Sequence, residues 1–365
     1  MGSPEARLRE VHDLVANAGE RMAVFLVYER PSAVDARPAL ARTFFAERCS
    51  TDHSLTQIVE SFRSIGAYVE VFQGEQDFIE ALATGRLDSL GRPVKFIYPS
   101  IGFGITDGGF EPGRMALIPA LADSYGLTCA NSDAYTCAMA MHRYHSFVLL
   151  RALGVEIPPV WFFRRQEGWL GDRPINGTKV IVKSTYEAWS VGVTERSVFE
   201  MADDSDSIIA DIASEIGQPV TVQQFVPGRE VCQPVISARD LIPVPCVEQI
   251  LSKAPGDPDA FLTIDDNLSD GSFVYEPFAA DEPLLDELHR RANEVFRTFQ
   301  QRSFGRMDFR IDAAGKPWLT DAAVTPSLSD DGSAFRSLEL LGFSHPEFLR
   351  IVAGASLISQ GALVP

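Results

Sequence analysis

Two acidic residues, Asp308 and Asp321, stand near the outer ends of two short runs in which apolar and polar residues alternate. Met307-Asp-Phe-Arg-Ile311 reads as a half-buried strand, Asp312-Ala-Ala-Gly315 as a turn, and Pro317-Trp-Leu-Thr-Asp321 as a second strand. A hairpin of these runs sets the two carboxylates side by side, where repulsion favours a hard cation or a shared proton. Two solvated strand-end acids are the alternative. Arg306 stands beside Asp308, either as a cation of the site or as a simple salt-bridge partner.

Further cations and acceptors lie upstream. Lys183 ends the apolar run Val180-Ile-Val-Lys183, and the small-residue loop Tyr186-Glu-Ala-Trp-Ser-Val-Gly-Val193 follows. A strand-end lysine before such a loop suits phosphate: the ammonium neutralises charge and loop N–H groups donate. A snorkelling lysine before an ordinary loop is the competing reading. In Val222-Gln-Gln-Phe-Val-Pro-Gly-Arg-Glu230, polar groups bracket Phe225 and Val226, against which a planar base can lie. Glu230 can accept from ribose hydroxyls. His142 and His145, spaced i, i+3, can share a helix face, but no third ligand lies nearby in sequence for zinc. No G-x-S-x-G or other nucleophile motif is present, and Ser190 has no flanking base.

The elements that must position these groups fall into distinct stretches. Residues 5–18 pattern as an amphipathic helix and Met22–Tyr28 as a strand. Helices are expected at Arg37–Ala46 and Ser54–Ser64, a strand at Tyr68–Phe72, a helix at Gln76–Thr84 and a strand at Val94–Tyr98. Such alternation predicts a parallel sheet covered on its faces. The glycine-rich stretch Gly102–Gly113 follows the last strand and reads as a substrate-side loop or a plain connector. Met115–Tyr125 patterns as a helix, and a long helix capped at Asn131-Ser132-Asp133 runs to Leu153. Ile157-Pro158-Pro159 then marks a boundary near residue 155, and Arg164–Thr178 reads as a linker-like loop.

A small α+β unit follows, with strands at Lys179–Lys183 and Val220–Phe225, a helix at Asp206–Ile216 and an extended segment at Val231–Ile236. Ser252–Ser272 reads as a flexible loop able to cover a site. Leu284–Gln301 is a strongly amphipathic helix. The hairpin comes next, then a helix after Ser333 and a polar-apolar tail.

The 365 residues suffice for two or three domains, and 45% hydrophobic with 22% charged residues is ordinary for a soluble protein. Asp and Glu outnumber Lys and Arg by 50 to 32, a formal charge of -18, which argues against nucleic acid as partner but leaves room for a nucleotide. No run approaches the ~18 apolar residues of a membrane span. Charges interrupt the N-terminal stretch where a signal peptide would be apolar, and the five scattered cysteines read as buried thiols. A cytoplasmic protein is expected.

Taken in order, these residues resemble the ATP-grasp superfamily and, within it, the D-alanine–D-alanine ligases. The marks are Tyr125-Gly-Leu127, the long helix with its following prolines, Val180–Lys183, Glu187-Ala-Trp-Ser-Val-Gly192, Phe225–Glu230, Leu268-Ser-Asp270 and Gly305-Arg-Met-Asp308. The resemblance runs from about Tyr125 to Gln360 and is looser before Tyr98. It implies α/β and α+β architecture: an ATP-grasp fold behind an N-terminal parallel-sheet domain. The expected division is 1–125 for that domain, 126–235 for a linker helix and small α+β subdomain, and 236–365 for a C-terminal subdomain with the metal site. It also implies an ADP-forming ligase that joins a carboxylate and an amine through an acylphosphate.

By the same resemblance Lys183 and Arg143 hold phosphates, Arg143 replacing a lysine, and Glu187–Gly192, including Ser190, closes over them. Gln223, in the place of a glutamate, reads adenine; Phe225 and Val226 flank it; Glu230 holds the ribose. Arg306 stabilises the acylphosphate and tetrahedral intermediate, so that Arg306, Ser190 and Lys183 are the catalytic candidates. Asp308 and Asp321 hold magnesium, with manganese as an alternative. Small-molecule carboxylate and amine partners follow, and a homodimer is an option for which the pattern shows no interface.

The departures are specific. The family's E-x-N-x-x-P reads Asp321-Ala-Ala-Val-Thr-Pro326, so Ala323 cannot ligate and a weaker or single-metal site is expected, unless Asp330 or Asp331 substitutes. Trp189 stands where the ligases carry a small serine, and Gly102–Gly113 lacks the pattern H-G-x-x-G-E-D-G. D-Alanine is therefore not the expected substrate. The alternatives to a ligase are a nucleotide-binding or regulatory protein without turnover, or phosphoryl transfer on the same scaffold.

Overall fold

The computed structural model describes residues 2–29, 51–99, 112–130 and 132–364. The helix expected at Arg37–Ala46, the cap at Asn131, Cys49 and most of the stretch Gly102–Gly113 lie outside the described residues.

Helix α1 (Pro4–Ala18) starts where the Ser3 side chain accepts from the Ala6 amide. Strand β1 (Met22–Tyr28), α2 (Asp52–Arg63), β2 (Tyr68–Gln73), α3 (Glu75–Ala83), β3 (Val94–Pro99), α4 (Leu117–Tyr125) and β4 (Thr128–Cys129) follow. The four strands form a parallel sheet in the order β2-β1-β3-β4. Every residue of β1 is buried because both faces are covered. Met22, Val24 and Leu26 enter one core, whereas Ala23, Phe25 and Val27 enter the other.

The long helix expected before Leu153 is two helices, α5 (Ala134–Met141) and α6 (Arg143–Ala152), broken at His142 (φ -86, ψ 85). The break redirects hydrogen bonds rather than losing them. The Arg143 amide donates to the Thr185 carbonyl at 3.0 Å instead of continuing the helix, and the His142 ring accepts from the His145 amide at 3.3 Å. Sequence periodicity cannot register a partner 42 residues away.

Strands β5 (Val160–Arg164) and β6 (Gly168–Leu170) form a hairpin whose turn and second strand fall in the stretch read as a linker. With β7 (Lys179–Ser184), β8 (Val198–Glu200), α7 (Ser205–Ile216) and β9 (Val220–Gln224) they build an antiparallel sheet, β6-β5-β9-β7-β8. Val180, Val182, Val220 and Val222 pack on Ile209, Ile212 and Ile216 of α7. The alternate residues Ile181, Lys183 and Gln223 therefore face away from the helix, into a cleft.

The second antiparallel sheet uses β10 (Arg229–Ser237), β11 (Leu241–Ile242), β12 (Val247–Leu251), β13 (Phe273–Pro277), β14 (Phe304–Ile311) and β15 (Pro317–Ala323). Its order is β13-β12-β10-β14-β15, with β11 on β10. Helix α8 (Ile264–Leu268) lies within the segment expected to be a flexible loop. There Arg310 donates to the carbonyls of Pro258 and Ala260, and Lys253 binds Asp266, so side chains tie the segment down. Helix α9 (Glu282–Thr298), capped by Asp281, covers the far face of β14, where Met307, Phe309 and Ile311 pack with Leu288, Ala292 and Val295.

The helix expected after Ser333 is α10 (Ser333–Glu339), and the stretch read as a tail forms α11 (His345–Ser359). Ser344 and Glu347 cap α11, and its residues are buried almost all round. It joins the core of the N-terminal sheet, touching α1 at Gly354, where an added Cβ would lie 2.6 Å from Val11 Cγ1 and 2.9 Å from the Val11 carbonyl oxygen.

Candidate active site

The β14–β15 hairpin forms as expected, with Asp308 directly opposite Asp321. A bulge follows Asp308: Phe309 pairs with Leu319, so Thr320 is the extra residue on β15. Thr320 and Asp321 thereby both border the cleft, and the Thr320 hydroxyl donates to the Asp308 carbonyl at 3.2 Å. Period-two alternation puts Arg306, Asp308 and Arg310 on the cleft face of β14. Arg306 donates to both oxygens of buried Asp308, Nε to Oδ1 at 2.7 Å and Nη2 to Oδ2 at 2.6 Å, and Nη1 donates to Ser333 Oγ at 3.3 Å.

Asp321 faces a different cation. Arg143 Nη1 donates to Asp321 Oδ1 at 2.6 Å, Nη2 to the Glu187 carbonyl at 2.9 Å and Nε to the Ser184 carbonyl at 3.3 Å. Burial alone would raise the Asp321 carboxyl, but the charges of Arg143, Lys183 and Arg306 outweigh it and hold it below the usual range. Lys183 Nζ donates to Gln223 Oε1 at 2.9 Å and to the Thr320 carbonyl at 3.3 Å. Burial and the neighbouring Arg143 charge push its ammonium down to about 8. Because Lys183 fixes the Gln223 carbonyl, Gln223 Nε2 is left as a buried donor without a hydrogen-bond partner among the described residues.

The loop after β7 is held at several points. Glu187 is buried against Arg114 at 2.8 Å, Arg114 also donates to the Tyr186 carbonyl, and the Tyr186 amide donates to Gln218 Oε1 at 2.7 Å. Trp189 and Ser190 take left-handed conformations (φ 62 and 55), and Asn267 of α8 donates to the Trp189 carbonyl at 2.8 Å. Non-glycine residues in that region carry strain that surrounding contacts must hold, a common mark of functional loops. The Trp189 side chain is 42% exposed at the cleft.

On the opposite wall Phe225 is buried, with the Arg310 guanidinium 4.8 Å and Lys179 Nζ 5.0 Å from its ring centre and Phe261 edge-on. Glu230 lies opposite Arg310 in the β10–β14 register and 3.4 Å from its Nη1. Burial raises the Glu230 carboxyl against the opposing pull of Arg310.

The structure thus brings Arg143, Lys183, Glu187, Ser190, Gln223, Phe225, Val226, Glu230, Arg306, Asp308 and Asp321 to the border of one cleft between the two antiparallel sheets. Sequence reasoning passed over Arg310, Arg114 and Asn267. Arg310 could have been found from the same alternation that places Arg306 and Asp308; Arg114 and Asn267 carry no local signal. His142 and His145 stack with ring centres 3.5 Å apart beside Tyr186, behind the loop. Asp330 binds Gln57 of α2, turning from the cleft, whereas Asp331 borders it. Among the described residues no group of three or more His, Cys, Asp and Glu side chains could hold a metal; Asp308 and Asp321 bring two carboxylates to one end of the hairpin, each held by an arginine.

Two antiparallel sheets closing on a cleft, behind a parallel-sheet domain, define an ATP-grasp fold. The chain belongs to the family described as D-ala D-ala ligase C-terminus, whose model matches residues 149–352. It is 22% identical over 241 residues to the D-alanine–D-alanine ligase of Synechococcus sp. (strain JA-3-3Ab), covering 65% of this chain and 71% of that protein. It is 22% identical over 281 residues to that of Marinobacter nauticus, covering 74% and 82%. In fold it is similar to the D-alanine–D-alanine ligase of Bacillus anthracis solved with ATP, at a TM-score of 0.64 and 13% identity over 93% of this chain and 99% of that one. That of Coxiella burnetii gives a TM-score of 0.61 at 11% identity, covering 93% and 96%. No helix among the described residues is long and apolar enough to cross a membrane.

Proposed function

We propose that this protein is an ATP-dependent carboxylate–amine ligase that works through an acylphosphate and releases ADP and phosphate. The observation that carries the reading is the convergence of Lys183, Arg143 and Arg306 with Asp308 and Asp321 in the cleft of a family whose similar proteins are ligases. In the first step a substrate carboxylate oxygen attacks the γ-phosphorus and the bond to ADP breaks. In the second an amine nitrogen attacks the acyl carbon, phosphate leaves, and the nitrogen gives up a proton. Lys183 and Arg143 hold phosphate oxygens. The loop carrying Glu187 and Ser190 covers them, its Glu187 anchored by Arg114. Arg306 stabilises the oxyanion that develops at the acyl carbon, a role suited to a partly buried cation fixed by two bonds to Asp308.

Phe225 and Val226 flank the base, Gln223 meets its edge and Glu230 takes the ribose. Magnesium, or manganese, would be held by Asp308 and Asp321 and would supply neutralisation of phosphate charge. Trp189 makes the acceptor side unlike one built around a small serine, which supports a substrate other than D-alanine. The division 1–125, 126–235 and 236–365, a cytoplasmic location and small-molecule partners complete the proposal.

Thermal unfolding with ATP, with and without magnesium, tests it. Ligand at about 100 times its Kd stabilises by ~2.7 kcal/mol. A magnesium-dependent rise, lost in Asp308→Asn, is expected, and ADP release then screens substrates. Ala323 favours a second reading, a nucleotide-binding protein without turnover; stabilisation indifferent to magnesium would support it. No shift with ATP would overturn both.

A further inference from the structure

We infer that the Arg143 guanidinium takes the place of a second divalent cation, so that the cleft binds nucleotide with a single metal ion. The inference rests on the nucleotide reading above and concerns how this chain balances charge there.

The argument starts from the lone pairs of two carboxylates. Asp321 Oδ1 accepts from Arg143 Nη1 at 2.6 Å and from the Ala322 amide at 3.0 Å, which uses both of its lone pairs. Asp308 differs: its two oxygens each accept a bond from Arg306, and the Cys232 thiol opposite it on β10 also bonds to this carboxylate. A metal therefore finds Asp321 Oδ2 open, whereas Oδ1 is filled by Arg143 and the Ala322 amide. Ala323, two residues on, offers a methyl group and no donor.

Arg143 is also fixed where it is. Its three nitrogens donate to the Asp321 carboxylate, the Glu187 carbonyl and the Ser184 carbonyl, and only 11% of its side chain is exposed. Its own backbone amide is tied to Thr185 through the break between α5 and α6. For a second cation to bind at Oδ1, this guanidinium would have to give up its carboxylate and keep only the Ser184 and Glu187 carbonyls, which leaves a largely buried positive charge unneutralised. The cost is the greater because Lys183 lies beside it.

The chemistry of the cation points the same way. A planar guanidinium offers fixed, forked donors that an ammonium lacks, and this suits it to bridging a carboxylate and a phosphate.

The test is manganese and nucleotide stoichiometry by equilibrium dialysis, with electron paramagnetic resonance of Mn2+, in the presence of a non-hydrolysable ATP analogue. One Mn2+ per bound nucleotide, with no spin-coupled pair, is expected for the wild type. Two, or a coupled pair, would overturn the inference while leaving the nucleotide reading intact. Arg143→Ala combined with Ala323→Asn opens Oδ1 and supplies a donor, and is expected to bind two Mn2+ per nucleotide. One Mn2+ in that variant, with nucleotide still bound in the same sample, would show that Arg143 is not what excludes the second ion. Absence of nucleotide from the wild type would instead overturn the functional reading itself.

Discussion

Lys183 carries its charge where burial and the Arg143 guanidinium both work against it, at about 8 rather than the usual 10.5. A base lowered in this way is cationic below pH 8 and neutral above. Nucleotide affinity is therefore expected to fall as pH rises through about 8 in the wild type. Lys183→Arg, charged throughout, should bind with a flat profile over the same range. Gln223→Glu places a carboxylate against the ammonium and should move the loss to higher pH; calorimetric titration of an ATP analogue between pH 7 and 9.5 measures all three. Lys183, Asp308 and Asp321 were legible because each ends or punctuates a strand pattern. The partners that tune them were not, since Arg143 meets Asp321 across 178 residues and Arg114 meets Glu187 across 73.

Among the elements, the break between α5 and α6 bears most on the site. The stacked His142 ring closes the end of one helix while Arg143 starts the next and reaches into the cleft. Burial, with neighbouring His145, lowers His142 to about 4. Between pH 6.5 and 4 the unfolded chain then binds a proton that the folded chain refuses, so stability falls as pH falls through that window. His142→Gln, which does not titrate, should show a shallower loss of melting temperature from pH 7 to 5, even from a lower starting value. An unchanged slope would remove His142 from the account of acid sensitivity. The α5–α6 pattern reads as one continuous helix because its apolar spacing continues through His142. What divides it is a tertiary hydrogen bond. Similarly, Ser252–Ser272 has the composition of a free loop, yet Arg310 and Lys253 fasten it.

At the scale of the molecule, the two ends of the chain share one core. Gly354 of α11 lets the helix approach the backbone of α1, and a side chain there meets Val11 and Val15. Gly354→Val is expected to cost about 1–3 kcal/mol through overpacking, read as a lower denaturation midpoint. Nucleotide affinity should be preserved, because the cleft lies between the other two sheets. The parallel sheet, the hairpin and the amphipathic helix α9 were all legible from periodicity. Helix α11 was not: a helix buried almost all round has no polar face to reveal its period.

That shared core has a consequence for biosynthesis. Chains emerge from the ribosome N-terminus first, and domains commonly fold as they appear. Here Leu8, Val11, Val15, Val24 and Phe96 pack against Ile351, Val352, Ala355 and Leu357, residues made only after both antiparallel sheets. Until those turns are released, only α1 and α2 cover that face of the first sheet. The nascent chain must therefore carry a partly open apolar surface while both antiparallel sheets are being made, and its first domain is completed only after them.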